Sequence, residues 1–287
     1  MQTFLIKNYS VTVSSFDVFP ARVFEGAAQR VAITILKAKN KRKSNYEFIV
    51  SKYYRWLQSE RESLTQDICY VLNSKFVNVG WIARINSQIE LSILHKISNQ
   101  GKIGRFILSS SSSPIYAHRI INNFIKAIDF EPYFKKGDGT ITYSDDFKLL
   151  HCKKDLKPIL MCVLNSNLFY WYWRIHGDGF HCGFKDIEKF PCDLGSLDKK
   201  IKEQLSKTAQ DISNDFDKNS EIRHREQKKT GRVELQTFFI GKSKPIIDEI
   251  DTVLAKHYGF TAEELDFIIN YDLKYRMGKE LENGENG

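Results

Sequence analysis

The stretch that decides the C-terminal fold is Pro245–Gly278, which reads PIIDEIDTVLAKHYGFTAEELDFIINYDLKYRMG. Over Ile246–Leu254, apolar residues recur three and four positions apart, as one face of an amphipathic helix requires. Gly259 follows this stripe at the position where helices commonly end in left-handed backbone. Thr261 and Glu264 then form a capping box, which marks the start of another helix. The stretch therefore predicts a helical hairpin.

Upstream, the apolar stripe of Leu156–Leu168 predicts another helix, which continues into the aromatic run Phe169–Trp173. Rings at helical spacing beside leucines are expected to pack in the core rather than to stack on bases. Between residues 101 and 151, short apolar runs alternate with turn-forming segments and predict strands. The highly charged stretch Leu197–Gly231 predicts a long exposed helix or a helical hairpin.

The N-terminal residues have a strand-like pattern. The two β-rich runs Thr3–Phe19 and Arg30–Lys37 flank the turn-forming segment Pro20–Gly26, which predicts a β-hairpin. Helices are expected around Arg55–Leu72 and Ser87–Ser98. Together these patterns predict a mixed α/β protein of the α+β type.

Composition restricts the class of protein. With 287 residues and 42% hydrophobic content, the chain can bury a substantial core, which excludes a disordered chain. The net charge of +8 favours an anionic partner such as nucleic acid. The five cysteines are odd in number and form no CxxC pair, which is typical of a reducing cytoplasm. Neither a signal peptide nor a membrane span is expected, so we predict a cytoplasmic location.

Three stretches resemble parts of the large adenine-N6 DNA methyltransferases, including the type IIG enzymes that are fused to restriction nucleases. Ser15–Leu36, SFDVFPARVFEGAAQRVAITIL, resembles the last two strands of their catalytic domain. Asn165–Pro191, NSNLFYWYWRIHGDGFHCGFKDIEKFP, resembles a helix, Gly/His loop and strand of their target-recognition domains. Pro245–Gly278 resembles their C-terminal end and is the most specific of the three stretches.

The resemblance implies an organisation and a function. Residues 1–40 would be the end of a catalytic domain, a β-hairpin remnant of a Rossmann-like methyltransferase sheet. Residues 41–195 would form the target-recognition domain, and residues 196–287 a helical C-terminal region. The chain would bind double-stranded DNA sequence-specifically in a restriction-modification system, and the intact enzyme would methylate adenine from S-adenosylmethionine.

The chain departs from the family where the chemistry should be. Its six prolines are never adjacent, so it has no Pro-Pro tetrapeptide of the kind that holds the flipped adenine. Of its Gly-x-Gly pairs, Gly137–Gly139 follows Lys135-Lys136 and Gly177–Gly179 follows a predicted helix, so neither has the preceding buried strand that a cofactor loop requires. We therefore expect no catalytic residue and no bound cofactor in this chain alone. A truncation, a split-gene product and a subunit that needs a methyltransferase catalytic chain as partner all remain open.

The candidate DNA contacts are cationic or histidine side chains in the predicted recognition region. Lysine and arginine bind phosphates and fix the register on DNA, while a few side chains read base edges. The candidates are Arg119, Lys126, Lys135, Lys136, Lys148, Arg174, His176, His181 and Lys185. Phe24 is a weaker candidate, by resemblance alone, for stacking on an extruded adenine.

Two other functions fit parts of the sequence. The chain could be a specificity or scaffold subunit that contacts proteins through Leu197–Gly231 and the C-terminal hairpin. It could also be a magnesium-dependent nuclease, because Asp129 and the segment Asp146–Lys148 imitate an Asp…Asp-x-Lys motif. No metal ligand is predicted, since the His and Cys spacings match no structural zinc pattern.

Overall fold

The computed structural model of the protein describes residues 4–5, 8–38, 48–73, 82–227 and 231–277. Within these ranges the chain forms small four-stranded sheets and α-helices, which confirms the mixed α/β class. It divides into two compact units. Unit 1 comprises Met1–His95 and Arg174–Gly179, and unit 2 comprises Lys96–Trp173 and Phe180–Gly287.

Unit 1 contains one sheet, in the strand order β2-β1-β3-β4. Its strands are β1 (Tyr9–Phe16), β2 (Val31–Ala38), β3 (Phe48–Tyr54) and β4 (Tyr70–Leu72), and helix α1 (Gln88–Ser98) begins in this unit. Strands β1 and β2 pair antiparallel, which confirms the predicted hairpin, whereas β1 and β3 pair parallel. A core around Phe16, Ala21 and Trp56 packs under the sheet.

Strand β2 forms an open edge of this sheet. Among the described strands it pairs with β1 alone, and nearly all of its residues are exposed. Ile33 and Ile35, which are 47% and 63% exposed, point to the same face because strand side chains alternate. A long edge strand that carries exposed apolar side chains is a ready site for pairing with another strand.

The helix predicted around Arg55–Leu72 is wrong. The segment forms a short 3-10 turn at Gln58–Glu60, then turns, and ends in strand β4. Leu64 and Ile68 pack against the Phe16 core from these turns, so the apolar spacing reflects a folded loop rather than a helix face.

Unit 2 contains two further sheets, with the strand orders β5-β10-β6-β7 and β11-β12-β8-β9. The strands are β5 (Ile107–Leu108), β6 (Ile115–His118), β7 (Ala127–Ile128), β8 (Phe134–Lys135), β9 (Ile141–Thr142), β10 (Phe147–Cys152), β11 (Ser220–Gln227) and β12 (Gly231–Phe238). The helices are α2 (Lys157–Asn165), α3 (Asn167–His176), α4 (Phe184–Glu188), α5 (Lys199–Lys218), α6 (Lys244–Tyr258), α7 (Ala262–Asn270) and α8 (Leu273–Met277). The last three residues of α3 belong to unit 1.

The aromatic run Phe169–Trp173 lies in the core, as the helical spacing predicts. Phe169 and Trp171 are fully buried, and the Phe169 ring packs edge-on against Phe190 with ring centroids 5.2 Å apart. Rings buried in this way stabilise the fold and are not available for stacking on bases.

The charged stretch Leu197–Gly231 is only partly helical, so the prediction for its second half is wrong. Helix α5 ends at Asn219, whose side chain donates a hydrogen bond to the Asp215 carbonyl oxygen. The chain then enters β11, which pairs with β12 along its full length. In β12, Val233 and Leu235 alternate with polar residues and Val233 is buried, which is the period of a strand.

The C-terminal helical hairpin is confirmed, together with its caps. Gly259 has a φ of 65°, the left-handed conformation that glycine adopts without strain. The Thr261 hydroxyl accepts from the Glu264 backbone N at 3.2 Å, and the Glu264 carboxylate accepts from the Thr261 backbone N at 2.7 Å. Glu264 also forms an ion pair with Lys96 at 2.6 Å.

We expect Thr261→Ala to lower the free energy of unfolding by about 1 kcal/mol, because it removes the oxygen that caps α7. Thr261→Ser, which keeps that oxygen, should remain close to the parent. Chemical denaturation of the three proteins measures the difference. An alanine variant as stable as the serine variant would show that the cap contributes nothing.

None of the helices in the described part of the chain is both long and apolar enough to span a membrane.

Candidate nucleic-acid interface

A buried ion-pair cluster in unit 1 links Ser15–Leu36 to Asn165–Pro191, two of the stretches that resemble methyltransferases. The Arg174 guanidinium donates to the Asp17 carboxylate at 2.9 Å, and both residues are almost fully buried. Arg30 and Arg55 approach the same carboxylate at 3.2 and 3.9 Å. The Arg174 guanidinium also lies 4.5 Å from the centre of the Tyr53 ring. The candidate DNA contact Arg174 is therefore part of the interior of unit 1.

The loop after α3 packs closely on this cluster. Gly179 has a φ of 79°, and a Cβ atom there would lie 2.5 Å from the Tyr53 ring. Only glycine fits such a position. The Gly177–Gly179 pair thus serves packing, while Gly139 lies in an exposed turn between β8 and β9 with a φ of 88°. Neither pair offers the strand-to-helix loop that would hold S-adenosylmethionine, so no step through this cofactor can be derived for the described residues.

Buried polar contacts in unit 2 link Asn165–Pro191 to Pro245–Gly278, the third stretch with this resemblance. The Asn167 side chain donates to the Asp251 carboxylate at 2.7 Å and accepts from Arg276 at 2.8 Å. The Asp251 carboxylate also accepts from the backbone N of Asn167 and of Leu168, at 2.9 and 3.0 Å. It therefore satisfies amides in the first turn of α3 that have no partner within the helix.

Three candidate DNA contacts, Arg119, Lys148 and His181, lie around β6 and β10, and we refer to them as the β6–β10 group. Lys148 is exposed on β10, in register with Ala117 on β6. Arg119 follows β6 and forms an ion pair with Asp146 at 3.1 Å. His181 is exposed and forms a β-bridge with Ile120.

The other candidates lie apart from this group. Lys135 on β8 forms an ion pair with Glu234 of β12 at 3.6 Å, and Lys136 is exposed in the turn that follows. Lys185 is exposed on α4. His176 belongs to unit 1.

Phe24, the candidate for stacking on an extruded base, lies in unit 1. It is 56% exposed in a tight turn, where it forms a β-bridge with Ala27. Its ring is accessible, and the base-stacking role stays a prediction that only the resemblance supports.

Lys126 lies beside the β6–β10 group and lines a cavity of about 280 Å³. Its ammonium group lies 5.4 Å from the centre of the Phe147 ring and 5.5 Å from that of Phe238. Within the described chain it forms neither an ion pair nor a side-chain hydrogen bond. Burial lowers the pKa of Lys126 to about 8, because the charged form is poorly solvated.

His118 lines the same cavity and adds no charge at neutral pH. Burial, together with the nearby Lys126, lowers the pKa of His118 to about 4. Its Nδ1 lies 2.8 Å from the Ile120 carbonyl oxygen, so the neutral ring carries its proton on Nδ1 and leaves Nε2 as an acceptor. Lys126 is therefore the titratable cation of this cavity.

Sequence reasoning missed the contribution of strand β11. The positive charge of Arg225 on β11 further lowers the pKa of Lys126, after the larger effect of burial. Because residues 197–231 were expected to be helical, Arg225 had no predicted place beside Lys126. In GRVELQTF, Val233 and Leu235 alternate with polar residues, a pattern that could have indicated β12, whereas SEIRHREQ has a single apolar residue and no such signal for β11.

The residues of the nuclease hypothesis are engaged elsewhere. Asp146 is held by Arg119, and Asp129 accepts a hydrogen bond from Ser213 at 2.5 Å. In the ranges that the structure describes, no three His, Cys, Asp or Glu side chains are grouped closely enough to hold a metal ion. The four cysteines Cys152, Cys162, Cys182 and Cys192 are buried and free.

Comparison of the chain with protein-family models, with curated proteins and with solved structures finds no match. The resemblance of the three stretches to methyltransferases thus remains a hypothesis about function.

Proposed function

We propose that this chain is the DNA-recognition portion of an adenine-N6 DNA methyltransferase of a restriction-modification system. It binds duplex DNA, and methyl transfer belongs to a catalytic portion that supplies S-adenosylmethionine and the residues that hold the adenine. The chain has no catalytic role of its own in this proposal.

The observation that carries the proposal is the cationic group in unit 2. Arg119, Lys126 and Lys148 come from separate segments that the pairing of β6 with β10, and the hydrogen bond from the His118 backbone N to the Lys126 carbonyl oxygen, bring into the same part of unit 2. The exposed His181 adjoins them through its bridge to Ile120. Cations that converge on one surface from several segments are suited to contact successive phosphates of a duplex.

A further observation supports a catalytic partner. Strand β2 lies at the end of Ser15–Leu36, the stretch that resembles the last strands of a catalytic sheet. Its outer edge and the side chains of Ile33 and Ile35 are exposed. A catalytic sheet that adds a strand to β2 would satisfy this edge and cover Ile33 and Ile35. The partner in this proposal is therefore a methyltransferase catalytic chain.

The proposal predicts salt-sensitive binding to duplex DNA, with a fraction of genomic sequences bound more tightly than the rest. Lys148→Ala should weaken binding to all sequences alike and reduce the slope of log affinity against log salt by about 0.9, the value for one lost phosphate contact. Fluorescence anisotropy across a salt series, followed by selection from random duplexes, measures both effects.

The matched control is Lys199→Ala, which removes a charge of the same sign from a side chain that is 90% exposed on α5. It should leave the salt slope near that of the parent. Absence of duplex binding by the parent at low salt would contradict the proposal and favour the scaffold hypothesis. An equal effect of both variants would mean that the β6–β10 group does not contact DNA.

A further inference from the structure

The Lys126 cavity has the features of a binding site. It is an open cavity of unit 2, bounded by the segment from His118 to Lys126, by Phe238–Gly241 and by the end of α8. Its volume of about 280 Å³ is several times the roughly 30 Å³ that one water molecule occupies in the liquid. Aromatic rings and side-chain amides line it, beside the lysine.

No carboxylate of the described chain forms an ion pair with Lys126. The carboxylate that most favours its charged form is Asp146, and this carboxylate is held by Arg119. Arg225 adds a further positive charge nearby. Burial of this ammonium costs free energy that the two phenyl rings offset only in part, and an anion in the cavity would offset more of it.

We propose that the Lys126 cavity binds a phosphate group, which in the proposed function is a phosphodiester of the DNA backbone. The source of the phosphate rests on that function, whereas the site itself does not. Lysine is a point-charge phosphate ligand, and His118 and Ile120, which flank the candidate contact Arg119, line the same cavity, so a phosphate there would lie near that contact. The side-chain amides of Asn122 and Asn123 and the guanidinium of Arg276 also line the cavity.

The surroundings of Lys126 determine how binding depends on pH. The titratable and charged groups that face it or line the cavity are His118, Arg119, Asp146, Arg225 and Arg276. Among them His118 is neutral above about pH 4, so Lys126 is the group that changes charge near pH 8. Since the phosphodiester charge is constant in this range, duplex affinity should fall as pH rises from 7 to 9.

The experiment compares the parent with Lys126→Met, Lys126→Arg and the charge-matched control Lys199→Met. Duplex affinity is measured by anisotropy at pH 7 and pH 9. Inorganic phosphate is titrated at pH 7 into protein that carries ¹³C-labelled lysine, and the Lys126 Cε resonance is followed by NMR. Thermal unfolding without ligand is recorded for all four proteins.

We expect Lys126→Met to weaken duplex binding about 10-fold or more, which corresponds to the loss of one charged hydrogen bond. The same variant should unfold at a higher temperature than the parent, because it no longer buries a charge. Lys126→Arg should bind equally at pH 7 and pH 9, since arginine stays charged. A merely structural lysine would not combine weaker binding with higher stability.

The outcomes separate the site from the proposed function. If the parent binds duplex and Lys126→Met behaves like Lys199→Met, the site is wrong and the proposed function stands. If inorganic phosphate shifts the Lys126 resonance but the parent binds no duplex, the site takes free phosphate and the proposed function is wrong. If neither probe affects Lys126, the inference is overturned.

Discussion

Asp17→Asn is expected to lower the free energy of unfolding of unit 1 by about 3–5 kcal/mol, the usual cost of removing one partner of a buried ion pair. Asp17 is 3% exposed and its carboxylate is shared by Arg30, Arg55 and Arg174. Asparagine keeps the shape of the side chain but not the negative charge that these guanidinium groups contact. The loss should therefore be electrostatic, with little change in packing.

Because the chain forms two units, the measurement must distinguish them. Hydrogen exchange of backbone amides in β1 and β3 reports on unit 1, and exchange in α2 and α5 reports on unit 2. We expect faster exchange in β1 and β3. The control is Glu25→Gln, which removes an exposed carboxylate from the same segment. If both variants exchanged at the parent's rate, the cluster would not stabilise the unit.

Asp251→Ala is expected to destabilise unit 2 by about 3 kcal/mol or more, because it leaves buried amide donors of Asn167 and Leu168 without their acceptor. The same change removes one of the two contacts through which α6 holds the side chain of Asn167, since Asp248 also accepts from it at 2.9 Å. Chemical denaturation measures the effect. Glu249→Ala, at an exposed position on the same helix, should stay within about 0.5 kcal/mol of the parent, as surface substitutions usually do.

The contribution of Asp251 to the free energy of unfolding should also depend on pH. Burial raises the pKa of this carboxyl from 3.8 to about 6, despite the opposing hydrogen bonds from Leu168 and Asn167. The folded state therefore holds the proton more tightly than the unfolded chain. The linked stabilisation is fully present below about pH 4 and is lost as the pH rises through 6. The stability of the parent relative to Asp251→Asn, which cannot titrate, should decrease between pH 4 and pH 7.

Short sequence patterns correctly predicted the elements that are held by contacts between residues close together in the chain. The caps at Gly259 and Thr261 lie beside the helices that they end or begin, so their signature is contained in a few consecutive residues. The second half of Leu197–Gly231 forms β11, which has a single apolar residue and therefore no alternating pattern; it is held by pairing with β12, which pairs in turn with β8, about a hundred residues earlier in the chain. Tertiary pairing of this kind overrides the helix propensity of a charged segment.

The candidate interface was predictable by residue type and not by position. Arg119 and Lys148 were chosen for their charge, and the strand register that makes them neighbours has no signature in a single sequence. Arg174 has the same charge and yet lies in the interior, because Asp17, far away in the sequence, provides a buried counterion. A charged side chain becomes a surface contact or a core ion pair according to what folds against it.

Unit 1 is built from two separate pieces of the chain, and this limits how the protein can be divided. A fragment that stops at His95 would lack Arg174 and Gly179, which lie against Tyr53 and complete the interior of that unit. A fragment that starts at Lys96 would carry the same loop without the sheet on which it packs. No single cut of the polypeptide yields two intact halves, so limited proteolysis or gene splitting between the units should leave two pieces that stay associated or both lose structure.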